Sequence, residues 1–257
     1  MKRYHLFEWE DQAWFPSRLR DLMTDYLRHV TVLFKMHEPI VPILDQTLKA
    51  TNSDTIIDLA SGGGGPWPAL APALRDIHPN LKVVLTDLYP NVKALEAVRQ
   101  TAPDVIEVRK ESIDALHVPD DLPGLRTQFL SLHHFEPAHV KLIFQNAITA
   151  RQPIAVFEFQ QRTPAHILQF ALSPIFVQLL SFTIRPFSVA RLLFTYGLPL
   201  VSFFVMWDGI VSALRTYTPD EVRAIITTIP EANLYDWDIR AEKAGQVTVF
   251  RAVGTPR

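Results

Sequence analysis

At residues 55–66 the chain reads Thr-Ile-Ile-Asp-Leu-Ala-Ser-Gly-Gly-Gly-Gly-Pro, and this stretch constrains the fold more than any other. An apolar run, 55–59, delivers the chain into four consecutive glycines, Gly62 to Gly65, and a helix-like segment, 69–77, follows. Glycine tolerates positive φ and lets a backbone approach another group closely. A loop of this kind, at the carboxyl end of the first strand, is where open α/β sheets bind ligands. The pattern then repeats. Strand-like runs at 81–85, 105–109, 127–132 and 154–159 alternate with helical stretches at 91–100 and 138–150. Strand, loop and helix in this rhythm predict an α/β fold whose Rossmann-like sheet is mostly parallel.

Three ligand types compete for such a loop. A phosphate loop ends in Gly-Lys-Ser/Thr, but Gly65 is followed by Pro66 and Trp67. A dinucleotide fingerprint needs a glycine three places beyond its second, and after Gly62 and Gly64 that place holds Trp67, which disfavours a nicotinamide oxidoreductase. The third type is S-adenosylmethionine (SAM), whose sulfonium and amino acid group favour an acid at the strand end. Asp58 supplies one. Asp87 ends the second apolar run, where its carboxylate could accept from both hydroxyls of a ribose. Leu88 can pack on adenine, and Ile113-Asp114, after the third run, offers a further apolar–acidic pair for the adenine face and its amine. The alternative is a plain turn, with Asp58 as a capping carboxylate and Asp114 as a surface cap.

Asp58-Leu59-Ala60-Ser61-Gly62-Gly63-Gly64, then Thr86-Asp87-Leu88, then Ile113-Asp114, resemble the first three motifs of class I SAM-dependent methyltransferases. The similarity covers roughly residues 54–160 and resumes near Thr218 through two final strand-like runs, 234–239 and 247–253. The resemblance implies a seven-stranded sheet with SAM as cofactor across the ends of its first strands. It also implies that Asp58, Ala60, Ser61, Gly62, Gly64, Asp87, Leu88, Ile113, Asp114 and Ser131 line that site. Ala60 departs from the pattern, standing where the family most often has its first glycine, and only a slight change in loop path is expected from it. In the family, the stretch Ser131-Leu132-His133-His134-Phe135 would border the sulfonium and the acceptor. His133 or His134 would then act as base or orienter; otherwise one packs and the other caps the following helix. Glu158, at the end of the fifth run, would bind a polar acceptor group or be solvated.

The remainder frames this core as one methyltransferase-like domain over 1–257. Residues 1–50 read as a helical lid, with apolar positions Leu19, Leu22, Met23, Tyr26, Leu27, Val30, Leu33 and Phe34 on one helix face. Trp9, Trp14 and Phe15 would close over the pocket or serve as core or interface aromatics. Residues 163–210 read as an apolar helical insert. Residues 163–184 carry no formal charge, and neither do 192–207. The first run reaches the ~20 residues that span a bilayer, but Gln169, Pro174, Gln178 and the nearby arginines argue for a shallow helical hairpin. Between Arg162 and Arg215, four arginines against Asp208 alone give +3, leaving −5 for the rest of a chain whose net charge is −2. Such a segment would touch membrane or lipid, or form a buried cap or dimer interface.

That net charge leaves no nucleic-acid surface to expect. The absence of cysteine excludes thiolate metal sites, and no metal is expected. Acidic Glu8, Glu10 and Asp11 precede any apolar run, so no signal peptide is read, and a cytoplasmic location, peripheral or monotopic at a membrane, is expected. The leading expectation is methyl transfer from SAM to a lipophilic small molecule. Its rival is a non-catalytic module of the same fold that docks to a membrane or partner through the insert.

Overall fold

In the computed structural model, which describes residues 1–12, 14–245 and 247–257, the chain divides into two compact units. One consists of Lys35–Phe159 with Thr218–Arg257 and holds the sheet; the other consists of Met1–Phe34 with Gln160–Tyr217 and is helical.

In the sheet unit, β1 (Thr55–Asp58), β2 (Lys82–Leu85), β3 (Ile106–Val108), β4 (Leu125–Phe129) and β5 (Ile154–Glu158) run parallel. The long hairpin β6 (Tyr235–Ala244) and β7 (Val247–Pro256) closes one edge antiparallel. The strand order is β3-β2-β1-β4-β5-β7-β6. From β1 the chain moves outward through β2 and β3, then returns to the other side of β1 for β4 and β5. Strand order therefore reverses between β1 and β4, and a crevice opens beyond the carboxyl ends of those two strands.

The parallel strands are apolar because helices and loops cover them. Ile56, Val83, Leu85, Ile106, Leu125 and Phe157 share one core with α2 (Val41–Thr51), α3 (Trp67–Arg75) and α4 (Val92–Arg99). Every residue of β4 is buried, including Arg126, Thr127 and Gln128. Those polar residues hid the strand's start, which falls at Leu125 rather than at 127, with its end at Phe129. Arg126 donates to Asn146 Oδ1 on α5 (Pro137–Thr149) at 2.5 Å. The Gln128 amide has no hydrogen-bond partner among the described residues.

The helical unit is built from α1 (Ser17–Leu33), α6 (Pro164–Ala171), α7 (Ser173–Leu180), α8 (Val189–Leu192), a π-helical turn (Leu193–Gly197) and α9 (Leu200–Arg215). The hairpin expected over 163–207 is broken into these shorter pieces. Pro174 sits at the start of α7, and Pro199 separates the π turn from α9, because proline cannot donate into a helix interior. Residues 3–12, which end in a turn at 9–12, run along α9: Asp208 accepts from the amides of Trp9 and Glu10 at 2.8 and 3.1 Å, and Arg215 donates to the Leu6 carbonyl at 2.6 Å. Trp9 and Phe15 pack on Phe204 with centroids 5.1 and 5.0 Å apart, so these aromatics form the unit's interior. Back in the sheet unit, α10 (Pro219–Ile226) starts at Thr218 with a capping box to Glu221, as its Thr-Pro-Asp-Glu start predicts.

Candidate active site

The glycine loop leaves β1 at Asp58 and stays tied to both neighbouring strands. Leu59 N donates to the Thr127 carbonyl on β4 at 2.8 Å, and Ser61 N donates to the Thr86 carbonyl beyond β2 at 2.9 Å. The loop therefore straddles the point where strand order reverses. Four of its residues, Ala60, Gly62, Gly64 and Gly65, have φ values of +54°, +52°, +89° and +46°. A left-handed alanine is uncommon and costs of order 1 kcal/mol. Ala60 thus sits in the left-handed region that glycine enters without such a cost, and the loop carries local strain there. Leu130, leaving β4 across the crevice, carries a second such strain at φ +52°. Strained non-glycine residues gather where a fold holds a site in a fixed shape.

Asp58 is buried and turned inward. Its two oxygens accept from Ser61 Oγ at 2.6 Å and Thr127 Oγ1 at 2.8 Å. Burial pushes its carboxyl up to about 7, against the opposing pull of those two hydroxyls. Its place is therefore as the brace under the loop. Asp87 is the acid that meets the loop's outer side: Oδ2 accepts from the Gly62 amide at 2.8 Å, and Oδ1 from the Tyr89 amide at 2.8 Å. Ile113 N donates to the Asp87 carbonyl at 2.9 Å, and Ser112 Oγ donates to the Leu88 carbonyl at 2.6 Å. The three motif segments are thus joined by direct hydrogen bonds. Asp114 accepts from Leu116 N at 2.9 Å and lies 3.3 Å from His117 Nδ1, which makes it a loop cap in this arrangement. Leu88 and Tyr89 are exposed beside Asp87.

At the far side of the crevice, a short 3₁₀ turn (Leu132–His134) follows β4. It places His133 over the end of β5. Glu158 accepts from the His133 amide at 3.1 Å, and His133 Nδ1 lies 3.0 and 3.1 Å from the two Glu158 oxygens. The carboxylate and the ring nitrogen lie within hydrogen-bond reach, and the pair holds the ring in one orientation. The His134 ring lies against His133, with centroids 4.2 Å apart. Ser131 Oγ is buried without a hydrogen-bond partner among the described residues. Thr86 and Thr127 were not foreseen as site residues. Thr86 Oγ1 donates to the Asp58 carbonyl at 2.8 Å, while Thr127 braces its carboxylate. A threonine within β4 and another just beyond the end of β2 were the available signal.

No protein-family model matches the sequence, and no curated protein matches it significantly. Solved structures do match in three dimensions. An O-methyltransferase family protein from Burkholderia thailandensis aligns over 87% of this chain and 57% of its own, with TM-score 0.50 and 15% identity. A putative O-methyltransferase from Nostoc punctiforme aligns over 98% and 64%, with TM-score 0.52 and 15% identity. Human N-acetylserotonin methyltransferase, solved in complex with SAM, aligns over 93% and 56%, with TM-score 0.51 and 13% identity. The chain spans less than two thirds of each of these structures. The fold is accordingly that of the class I SAM-dependent methyltransferases, as the motif series implied.

Proposed function

We propose that this chain is a methyltransferase that uses SAM as its cofactor and acts on a lipophilic small molecule at or near a membrane. The observation that carries the reading is the hydrogen-bonded junction of Gly62, Asp87 and Ile113 beside the crevice where strand order reverses. The residues present fit the cofactor. A Cβ built on Gly62 would meet nothing within 4 Å, so the loop has an open side. Ser131 Oγ is a buried polar atom awaiting a partner. The acids around the crevice suit a cation and would repel a phosphate.

When bound, SAM supplies a methyl carbon already activated by positive sulfur. Asp87 would hold the ribose hydroxyls, exchanging its internal amide bonds in part for theirs. Leu88 and Ile113 would cover the adenine faces, and Asp114 would meet its amine. Asp58 acts from beneath, keeping Ser61 and the glycines in their path. Alignment of acceptor and donor supplies most of the rate in such a displacement. The protein's remaining task is to accept a proton where the acceptor is a hydroxyl. His133 would take that role, supported by its Nδ1 contact with Glu158, and His134, whose ring lies against it, would orient the ring. The lipophilic acceptor is supported by the apolar character of residues 163–207.

Titration calorimetry with SAM tests the reading. Asp87→Ala should weaken binding by about 1–3 kcal/mol, since it strips the partner from buried hydroxyls. A well-folded protein that gives no heat with SAM would refute the proposal.

A further inference from the structure

The helical unit presents a surface unlike that of a protein meeting water alone. On α6, α7 and the segments that follow, Leu168, Leu179, Phe182, Phe187 and Val189 are exposed by 61, 67, 58, 63 and 74%. On α7 this is one face: Leu172, Ile175, Phe176 and Leu179 point outward at helical spacing, while Ser173, Val177 and Ser181 point inward. The π turn continues it. Tyr196 stacks on Phe182 with centroids 4.7 Å apart, and its hydroxyl donates to the Gln178 carbonyl. Apolar patches of this breadth mark a partner or a membrane.

Charge selects between those occupants. Residues 163–207 contain no acid and two formal cations, Arg185 and Arg191. Arg191 is buried, 2.8 Å from Asp25 on α1, with further bonds to the carbonyls of Ile184 and Pro186. Arg185 is thus the only exposed formal charge of that stretch. The helical unit as a whole carries nine cations against six acids, or +3, whereas the sheet unit carries −5. A second copy of the chain docked face to face would set Arg185 against a surface with no acid to meet it. Anionic headgroups supply that counter-charge, and the hydrocarbon below them takes the apolar side chains.

The depth follows from helix length. No helix among the described residues is long and apolar enough to cross a membrane. The bent pair Val189–Gly197 and Leu200–Arg215 turns through 75° at its break and so forms no continuous rod. At that break Leu198 N donates to the Leu193 carbonyl at 2.8 Å, so the break does not leave this amide unpaired.

We propose that this face, from Leu168 through Phe187 to Leu198, seats the chain monotopically in the interfacial layer of an anionic lipid bilayer. The inference deepens the membrane location in the proposed function and makes no use of methyl transfer. Flotation of the full chain with vesicles tests it, using phosphatidylcholine alone and phosphatidylcholine containing phosphatidylglycerol. The wild type should float with both, more with the anionic vesicles, and added salt should remove only that excess. Leu179→Ser, Phe182→Ser and Phe187→Ser together should lower binding at least about tenfold, since each change removes apolar surface from the hydrocarbon. Because these side chains already face outward, with Phe182 alone giving up its stack on Tyr196, circular dichroism melting should shift only slightly. Arg185→Glu, the second variant, should lose the anionic preference and keep the neutral binding. Absence of flotation with either vesicle overturns the proposal, as does equal flotation of the triple variant. A wild-type dimer in light scattering that the triple variant converts to monomer, without vesicle binding, overturns it in favour of a second copy. SAM calorimetry on the same samples separates the two readings: a chain that floats and gives no heat refutes the methyltransferase alone.

Discussion

Among the loop glycines, Gly62 and Gly64 make the sharpest test of the site's architecture, because the same substitution should have different consequences two residues apart. Both lie at positive φ, where a side chain costs about 1–2 kcal/mol. A Cβ on Gly62 meets open space, so Gly62→Ala should cost that strain and little more. A Cβ on Gly64 would lie 2.6 Å from Val98 Cγ2 and 3.1 Å from Val98 Cβ, against a valine buried in α4. Such overpacking adds about 1–3 kcal/mol, bringing Gly64→Ala to roughly 2–5 kcal/mol. Ala60→Gly should act in the opposite direction, relieving the left-handed alanine by up to about 1 kcal/mol, less the entropy that glycine adds to the unfolded chain.

The assay is urea unfolding monitored by circular dichroism, at constant pH and without ligand. For a chain of this size, 1 kcal/mol corresponds to about 2–4 °C in thermal melts, which give a second reading. The clash is attributed to one residue, so Val98→Ala should rescue Gly64→Ala. A double-mutant cycle should return a coupling of at least about 0.5 kcal/mol. Equal costs for Gly62→Ala and Gly64→Ala would refute the reasoning, since the last turn of α4 would then not be held against the loop at Val98. Zero coupling in the cycle would do the same.

Two further outcomes follow from buried polar groups. Gln128→Leu should raise stability by about 1–3 kcal/mol in the same assay, because its amide is buried in the central strand without a partner; a loss of stability would show that the amide is satisfied in solution. Stability should fall as pH rises from about 5 to about 9. Burial, with Asp208 and Glu8 nearby, pushes Glu10 up to about 8, and burial pushes Asp58 up to about 7. Both folded values lie above the unfolded ones, so the stabilisation is complete below the unfolded values and is lost as pH passes the folded ones. Melts of Glu10→Gln across that range should show a flatter profile, and an unchanged profile would refute the assignment to Glu10.

Much of the sheet was legible because its signals are local. A mostly apolar strand, followed by glycines or an acid and then by a helix, announces itself within a dozen residues, and β1, β2 and β5 each carry that mark, whereas β3 holds Glu107 and has no helix between it and β4. β4 was shifted because its burial rests on distant partners: Arg126 is accommodated by Asn146, twenty residues on. The insert was legible as apolar but not in shape. Composition records that α6 to α9 avoid charge, whereas the places where they break depend on Pro174, Pro199 and packing within their own unit, such as Phe170 lying against Gly209.

The site divides along the same line. That Asp58, Asp87 and Ile113 would converge could be inferred from their places at successive strand ends, since parallel neighbours bring such ends together. The division of labour between the two aspartates could not. A carboxylate at a strand tip faces outward or inward according to which hydroxyls lie within reach. Asp58 has Ser61 three residues ahead and Thr127 on the next strand, and these satisfy its two oxygens in a buried place. Asp87 has only backbone amides, from Gly62 and Tyr89, and stays at the loop's outer side. The consequence concerns charge. A buried brace raised to about 7 is largely neutral in mildly acidic solution. A cation arriving nearby would favour the ionised form of Asp58, so binding of SAM should release a fraction of a proton near neutrality. The strain held at Ala60 and Leu130, on the two lips of the crevice, points the same way: the loop is shaped before the ligand arrives, and the ligand's charge adjusts what the loop rests on.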